Sequence, residues 1–273
     1  MTGTGSGPGS RSRSLSACRL APPGPGSLRP ALCGQTVQRL DRPGVAIVGG
    51  RERSRAMTEV PVTLRNRRGY RLAAVFLAPA EGGPFPAVTF AHGLYSHKGS
   101  PRNRLVAEQL VAEGFAALLF DFTGHGESEG TLAESTLEQQ VDDLGAALDF
   151  LAQHPRVDAG RLGVSGSSTG AAVAIVRAVQ DPRIRVLALR SPRVGHVLPY
   201  AARCTIPALI IVGAADTVIL PEAEALYRLW PAEKRWVTVP GAGHLFEEPA
   251  AMEQMARAIV AWFVEKLGAA ARA

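Results

Sequence analysis

Residues 164–172, VSGSSTGAA, decide the fold, because a buried strand is predicted to end in this segment and a helix to begin. Residues 166–170 match the pattern G-x-S-x-G. A serine at a sharp strand-to-helix turn is strained, and its close neighbours must be almost free of side chains for the backbone to reverse there. The turn exposes the hydroxyl beside a helix N-terminus, whose unpaired N–H groups favour negative charge on an attacked carbonyl. Ser168 is therefore the candidate nucleophile.

Two other interpretations of this segment compete. Glycine and serine also cluster at helix starts without any chemistry, because a serine side chain there accepts hydrogen bonds from free N–H groups. Ser165 and Ser167 are alternative nucleophiles, and Ser165 lies between Gly163 and the small Ser167, which is a looser version of the same spacing. Because Ser168 has a glycine two residues away on both sides, the pattern favours it over its neighbours.

Composition predicts one folded domain behind a basic extension. The chain has 273 residues, of which 46% are hydrophobic, enough for one domain with a substantial core. Residues 1–56 are rich in Gly, Ser, Pro and Arg, and we expect them to be disordered. They contain nine arginines against Asp41 and Glu52, which gives this segment a net charge of +7. Since the whole chain has a net charge of +6, residues 57–273 carry −1. The folded domain is expected over residues 57–273.

The distribution of charged, apolar and cysteine residues argues against several classes of protein. The body has no cluster of basic residues, so we expect no nucleic-acid partner. No apolar run approaches the roughly 18 to 20 residues of a membrane helix, so no membrane span is expected. Cys18, Cys33 and Cys204 have no metal-like or disulfide-framework spacing, which suits a reducing, cytoplasmic location. An Arg-rich, acid-poor start also resembles an organellar transit peptide, and an over-extended reading frame would explain it equally well.

Strands and helices alternate through the body. Residues 60–64 and 70–77 are predicted to form an antiparallel hairpin. Further strands are predicted at residues 86–91, 116–120, 161–165, 184–189, 208–212 and 236–239. Helices are predicted at residues 102–113, 136–153, 171–179, 221–229 and 249–267. Hydrophobic strands alternating with helices predict a mostly parallel sheet covered on both faces, with its site at the carboxyl ends of the strands.

Three more strand ends carry polar groups suited to this chemistry. Asp216 follows a buried strand, and His244 lies in the glycine-rich loop after the last strand, from which it could reach Ser168 and take its proton. An attacked carbonyl needs two preorganised donors, which in this arrangement are the backbone N–H groups of Thr169 and Leu94. Each residue alone is ordinary, but the order Ser168, Asp216, His244, each after its own strand, predicts a catalytic triad.

Two nearby features have simpler explanations. For His92, beside Leu94, a structural histidine that orders the loop is favoured over a direct catalytic role. The segment of residues 121–128, DFTGHGES, is expected to make a turn and cap the following helix, and no partner for His125 is evident there.

These motifs give the chain a family resemblance. From about residue 59 to residue 267 it resembles the α/β-hydrolase superfamily, through His92-Gly93, the 121–128 segment, the Ser168 turn, Asp216 in GAAD and Gly243-His244. Within the superfamily it is most similar to small dienelactone-hydrolase-like and carboxylesterase-like members. The resemblance implies an α/β fold with an eight-stranded, mostly parallel sheet, acyl transfer to water, and no cofactor.

The sequence differs from the family pattern in two respects, and these limit what the resemblance implies. Dienelactone hydrolases have a cysteine nucleophile where this chain has Ser168, so their substrate class is not inherited. Many relatives also insert a helical cap after the sixth strand, whereas only residues 190–207 separate the two strands here, enough for one brief helix around residues 196–203. We therefore expect an open site, with Tyr95 and Ile219 among the substrate-binding residues, and small or flexible acyl substrates.

The sequence thus predicts a serine hydrolase that cleaves a small-molecule carboxylic ester or thioester through an acyl-enzyme. One alternative is a peptidase or amidase that uses the same triad. Another is a non-catalytic ligand-binding protein on the same fold, since fold does not determine function. An intact Ser168, Asp216 and His244 argue against the second alternative, because a binding protein would be free to lose any of them.

Overall fold

The computed structural model describes residues 56–268. The extension predicted over residues 1–56 falls outside this range apart from Ala56. In the described range, none of the helices is both long enough and apolar enough to cross a membrane.

A single eight-stranded sheet organises the domain. Its strands are β1 (Met57–Arg65), β2 (Arg71–Pro79), β3 (Phe85–Ala91), β4 (Ala116–Phe120), β5 (Val157–Ser167), β6 (Ile184–Arg190), β7 (Ala208–Gly213) and β8 (Lys234–Val239). They lie in the order β1-β2-β4-β3-β5-β6-β7-β8. The β1–β2 and β2–β4 pairs are antiparallel, and the other five pairs are parallel. The predicted hairpin and mostly parallel sheet are confirmed.

Helices cover both faces of this sheet. They are α1 (Pro101–Ala112), α2 (Leu137–Gln153), α3 (Thr169–Gln180), α4 (Leu198–Ala201), α5 (Leu220–Leu229) and α6 (Pro249–Leu267). The core layer on one face includes apolar side chains of α2, α3 and α5. The core layer on the other face includes those of α1 and α6. Parallel strands buried on both faces explain the continuous apolar runs that marked them in the sequence.

Strand β5 is longer than predicted. It begins at Val157, four residues before the predicted start, because Phe85 at the beginning of β3 pairs with Val157 before the register shifts. Its far end is Ser167, two residues beyond the predicted end, and α3 begins at Thr169, two residues before its predicted start. Ser168 alone makes the strand-to-helix turn.

The connection between β6 and β7 adds no cap domain. It contains a short 3-10 turn, Gly195–Val197, followed by the one-turn helix α4. The prediction of one brief helix here is confirmed. Within residues 56–268, the connection after β6 therefore leaves the carboxyl edge of the sheet without an inserted helical domain.

Candidate active site

Ser168 has a strained backbone at the turn between β5 and α3. Its φ is 52° and its ψ is −120°, a region that residues with a side chain rarely adopt. The turn is held from the neighbouring strand, because the Ser168 N–H donates to the Arg190 carbonyl oxygen at 2.9 Å. The Ser168 carbonyl oxygen in turn accepts from the N–H of Arg193 at 3.1 Å. The surrounding backbone therefore imposes the strained conformation.

The two glycines of the pattern are required by close backbone contacts. A Cβ atom on Gly170 would lie 2.1 Å from the carbonyl oxygen of Ala91, at the end of β3. A Cβ atom on Gly166 would lie 2.8 Å from the Cα atom of Ala171, in the first turn of α3. Any side chain at either position would push the helix away from the sheet. The spacing of the motif thus follows from the packing of α3 against the ends of β3 and β5.

The loop after β8 brings His244 between Ser168 and Asp216. His244 Nε2 lies 3.1 Å from Ser168 Oγ, and His244 Nδ1 lies 2.8 Å from Asp216 Oδ2. The His244 side chain is 35% exposed, whereas that of Asp216 is almost completely buried. A carboxylate on Nδ1 favours the tautomer that carries its proton there, which leaves Nε2 free to accept the Ser168 hydroxyl proton. His244 is therefore within hydrogen-bonding distance of both Ser168 and Asp216.

Backbone contacts hold these loops in place. The Ala215 N–H donates to the Ala242 carbonyl oxygen at 2.9 Å, which joins the loop of Asp216 to the loop of His244. Ser191 adds a side-chain contact, since its hydroxyl donates to the His244 carbonyl oxygen at 3.2 Å. No sequence pattern marks Ser191 as part of the site, because it is a single serine after β6.

Two backbone N–H groups at the site are available for an anionic oxygen. Neither the Leu94 N–H nor the Thr169 N–H donates a hydrogen bond to any residue between 56 and 268. Gly93, just before Leu94, is so close to the turn that a Cβ atom on it would lie 3.2 Å from the Cβ of Ser168. The loop after β3 thus passes directly beside the candidate nucleophile, as the sequence predicted.

His92 is a structural residue in this loop. It is 2% exposed, its Nδ1 lies 2.8 Å from the Gly93 carbonyl oxygen, and its Nε2 accepts from the N–H of Phe122 at 3.1 Å. The pKa of His92 is lowered to about 4, chiefly by burial and to a smaller extent by the nearby His125, while the Gly93 carbonyl opposes the shift. The imidazole is therefore neutral near pH 7 and ties the β3 loop to the β4 loop. The expectation of a structural role is confirmed.

The segment of residues 121–128 also serves the structure. Asp121 is fully buried and accepts hydrogen bonds from the Lys98 N–H, the Lys98 ammonium and the Glu127 N–H, at 2.5, 2.8 and 3.0 Å. Lys98 also pairs with the exposed carboxylate of Glu127. His125 Nδ1 lies 3.1 Å from the Thr123 carbonyl oxygen and 3.4 Å from the Ser135 hydroxyl. Its Nε2 is buried and has no partner among the described residues.

Backbone strain is concentrated around the site. Four residues other than glycine have a positive φ among those that the structure describes: Tyr95, Ser168, Ser191 and Phe246. They lie in the loops after β3, β5, β6 and β8, which are the loops that surround the Ser168 hydroxyl. Strain of this kind persists only where the surrounding structure enforces it, and it is most frequent at functional sites.

The rim of the site is apolar and open. Tyr95 is 77% exposed, and the exposed side chains of Leu94, Val218 and Leu245 lie on the loops that carry the candidate site residues. Ile219, predicted to contact substrate, is 2% exposed and packs in the core layer of α2, α3 and α5. Val218 is the residue of that turn that presents its side chain to solvent.

Comparisons with known proteins identify the family of this chain. Residues 82–201 match the family model described as serine aminopeptidase, S33. The solved structure of dienelactone hydrolase from Anabaena variabilis is 29% identical and superimposes with a TM-score of 0.68, over 77% of this chain and 99% of that one.

Two proteins of Mycobacterium tuberculosis strain H37Rv are similar in sequence. One, provisionally named a phosphoribosyl transferase, is 37% identical over 186 residues, which is 67% of this chain but 42% of that protein. The other, an uncharacterized protein, is 32% identical over 206 residues, which is 67% of this chain and 71% of that protein. The chain thus spans less than half the length of the first relative.

The chain belongs to the α/β-hydrolase superfamily, among members similar to dienelactone hydrolases and esterases. The eight-stranded sheet, the helices on both faces and the uncapped carboxyl edge agree with that assignment.

Proposed function

We propose that this protein is a serine hydrolase that cleaves small or flexible carboxylic esters or thioesters through an acyl-enzyme. The observation that carries the proposal is the position of His244. Its Nε2 lies 3.1 Å from Ser168 Oγ, and its Nδ1 lies 2.8 Å from Asp216 Oδ2. In such an arrangement the base contacts the nucleophile and a buried carboxylate orients the base. This arrangement activates a hydroxyl for acyl transfer.

In the proposed reaction Ser168 Oγ attacks the carbonyl carbon while His244 Nε2 accepts the hydroxyl proton. The resulting imidazolium is stabilised by the Asp216 carboxylate on Nδ1. His244 then donates the proton to the departing alcohol or thiol, and the acyl group remains on Ser168. Water then gives a proton to His244 Nε2 as its oxygen attacks the acyl carbon. The bond between the acyl carbon and Ser168 Oγ breaks, His244 returns the proton to Ser168 Oγ, and the acid leaves.

The negative oxygen that forms at each attack needs two donors. We assign this role to the backbone N–H groups of Leu94 and Thr169, which have no acceptor among the described residues and flank Ser168 from two sides. The positive end of α3 adds to their effect, since Thr169 is its first residue. Such preorganised donors are worth about 10² to 10³ in kcat each.

The open, apolar rim supports short or flexible apolar acyl groups. We assign contacts with substrate to Tyr95 on the β3 loop and to the turn formed by Val218 and Ile219 after β7. In this turn Ile219 anchors the backbone in the core and Val218 is available to the ligand. Within residues 56–268 no cap domain is inserted between β6 and β7, so in this proposal the side walls of the site contact the ligand.

A second function, cleavage of an aminoacyl amide, is favoured by one observation. The matching family model is described as a serine aminopeptidase, and the same three side chains would serve amide cleavage. An amide needs stronger protonation of its leaving group, which makes it the harder substrate for an open site. The two functions are therefore separated by leaving-group preference.

The test is a substrate panel assayed with the wild type and with Ser168→Ala. The panel contains 4-nitrophenyl esters of increasing acyl length, one acyl thioester and an aminoacyl 4-nitroanilide. We expect turnover of the short esters and the thioester that is lost in Ser168→Ala, with slow or no cleavage of the anilide. Preferred cleavage of the anilide would favour the peptidase, and no serine-dependent turnover in folded protein would favour a binding protein.

A further inference from the structure

A strained serine lies between the nucleophile turn and the His244 loop, which we define as residues 240–248. Ser191 directly follows β6, is fully buried, and has a φ of 44°. Its N–H donates to the Ile211 carbonyl oxygen of β7 at 2.8 Å, which helps to fix the backbone in this conformation. A left-handed conformation is strained for a residue with a Cβ atom but not for glycine. The side chain of Ser191 is therefore expected to supply a contact that glycine lacks.

That contact is with the backbone of the candidate base. Ser191 Oγ donates to the His244 carbonyl oxygen at 3.2 Å, and a serine hydroxyl has one proton to donate. No other group among residues 56–268 donates to this oxygen. The hydrogen bond therefore fixes the backbone position from which the His244 ring extends.

The His244 loop has only long hydrogen bonds around the base. The Ala242 N–H donates to the Val239 carbonyl oxygen at 3.4 Å. The Phe246 N–H donates to the Gly243 carbonyl oxygen, also at 3.4 Å. Both distances exceed the usual range of about 2.7–3.2 Å for N–H···O bonds, so both bonds are weak. Contacts from neighbouring loops therefore decide where the base lies.

The segment around Ser191 also holds the nucleophile turn. The Ser168 N–H donates to the Arg190 carbonyl oxygen at 2.9 Å. The Ser168 carbonyl oxygen accepts from the Arg193 N–H at 3.1 Å. Ser191 thus lies between the two residues that bind the backbone of Ser168, while its own side chain binds the backbone of His244. One short segment therefore contacts both the nucleophile and the base, whose reacting atoms lie 3.1 Å apart.

We propose that Ser191 is a positioning residue that sets the distance between His244 Nε2 and Ser168 Oγ through its hydrogen bond to the His244 carbonyl oxygen. This inference rests on the proposed function, in which His244 is the base. Without the Ser191 hydroxyl, the His244 ring spends less time within reach of Ser168, and small misplacements of catalytic groups slow a reaction strongly. Because Ser191 is buried and does not touch the ligand, its loss slows proton transfer and leaves substrate binding nearly unchanged.

The kinetic test compares Ser191→Ala and Ser191→Gly with the wild type on a short 4-nitrophenyl ester. Both variants lack the hydroxyl, but glycine also removes the strain of the positive φ. We expect both variants to lower kcat by about 10-fold to 100-fold, with KM changed by less than about twofold. Wild-type kcat in either folded variant overturns the proposal. If Ser191→Ala does not fold, Ser191→Gly decides by the same comparison.

Thr89→Val is the matched control. Thr89 is fully buried in β3, and its hydroxyl donates to the Leu118 carbonyl oxygen at 3.0 Å. The variant therefore also loses a buried bond from a hydroxyl to a carbonyl, but this bond lies within the sheet and not at the His244 loop. It should keep kcat within about twofold of the wild type. An equal loss of kcat in Thr89→Val and Ser191→Ala would overturn the proposal, since a general loss of stability gives that result.

A second background separates positioning from a purely structural role. His244→Ala has no ring to position, so adding Ser191→Ala to it should change the residual rate of Ser168 labelling by a fluorophosphonate less than about twofold. In the wild-type background the same substitution should slow labelling by about 10-fold to 100-fold. Equal slowing in the two backgrounds overturns the proposal, because damage to the nucleophile turn itself gives that result.

A measurement without substrate separates failure of this inference from failure of the proposed function. Hydrogen exchange is followed in peptides that cover residues 240–248 of the wild type, Ser191→Ala and Thr89→Val. We expect exchange in this loop to be at least about threefold faster in Ser191→Ala alone. That result would support the contact even if no ester were hydrolysed. Unchanged exchange of the loop in Ser191→Ala would contradict the positioning role even if short esters were good substrates.

Discussion

Two loops of this protein each contain a histidine beside a glycine at the carboxyl edge of the sheet, and the two side chains have different environments. His92, after β3, is buried, and its ring nitrogens contact the backbone at Gly93 and Phe122. His244, after β8, is partly exposed, and its ring nitrogens contact the side chains of Asp216 and Ser168. The backbone partners of His92 hold its ring in a structural role. The side-chain partners of His244 leave its ring able to exchange a proton.

The comparison shows that position at a strand end does not by itself make a histidine catalytic. His92 accepts a backbone N–H at Nε2, so its Nδ1 carries the proton, and burial keeps its pKa near 4. It has no free nitrogen with which to serve Ser168. His244 keeps Nε2 for the Ser168 hydroxyl, and this difference in partners is what the following predictions examine.

The largest expected effect is on catalysis by His244. His244→Ala removes the proposed base, so kcat should fall by about 10⁴ to 10⁶ while the free energy of unfolding changes little. Steady-state hydrolysis of a short 4-nitrophenyl ester and urea unfolding measure the two quantities. His196→Ala, which alters an exposed histidine in the loop after β6, is the control and should retain full activity. Retention of more than about a tenth of kcat in His244→Ala would contradict the assignment.

The next effect concerns the partner of the His244 ring. Asp216→Asn keeps the shape of the side chain but no longer stabilises an imidazolium, so kcat should fall by about 10³ to 10⁴. Asp149→Asn is a matched control, because Asp149 is a largely exposed aspartate in a surface ion pair with Arg183. If both variants had the same activity, Asp216 would be only a turn residue.

His92→Ala should change stability more than chemistry. It removes a buried ring and leaves the Phe122 N–H without its acceptor, which should lower the free energy of unfolding by about 2–4 kcal/mol. Urea unfolding at pH 7.5 measures this loss, with His244→Ala as the comparison. A His92→Ala protein as stable as wild type, yet inactive, would reverse the roles assigned to the two histidines.

The smallest effect is a pH dependence of stability. His92 has a pKa of about 4 when folded and an ordinary value of 6.5 when unfolded, so below pH 6.5 the unfolded chain binds the additional proton. The contribution of His92 is fully present above pH 6.5, is lost as pH falls toward 4, and amounts to about 1.4 kcal/mol per pH unit at most. Urea unfolding of wild type and His92→Gln between pH 7 and 4 should show a steeper acid decline in wild type. Parallel curves would contradict this pKa.

Much of the fold follows from local patterns in the sequence. Apolar runs of four to eight residues mark the buried strands, and the glycines around Ser168 mark the turn that their close contacts require. The extra residues of β5 before Arg161 could not be predicted, because Val157 enters the sheet only through its pairing with Phe85. Strand ends in general depend on such long-range partners.

The site residues that belong to a sequence motif could be predicted. Those whose role depends on how the chain packs could not. Ser168, Asp216 and His244 follow their strands in a recognisable order, and the structure brings them together. The burial of Ile219 depends on how the α5 turn packs, which no spacing reveals.

The central claim is that His244 activates Ser168 as a nucleophile. A fluorophosphonate probe tests it most directly, by intact mass and peptide mapping of wild type, Ser168→Ala and His92→Gln. We expect one adduct on Ser168 in wild type, none in Ser168→Ala, and one in folded His92→Gln. No adduct in folded wild-type protein, or equal labelling of wild type and Ser168→Ala, would contradict the account.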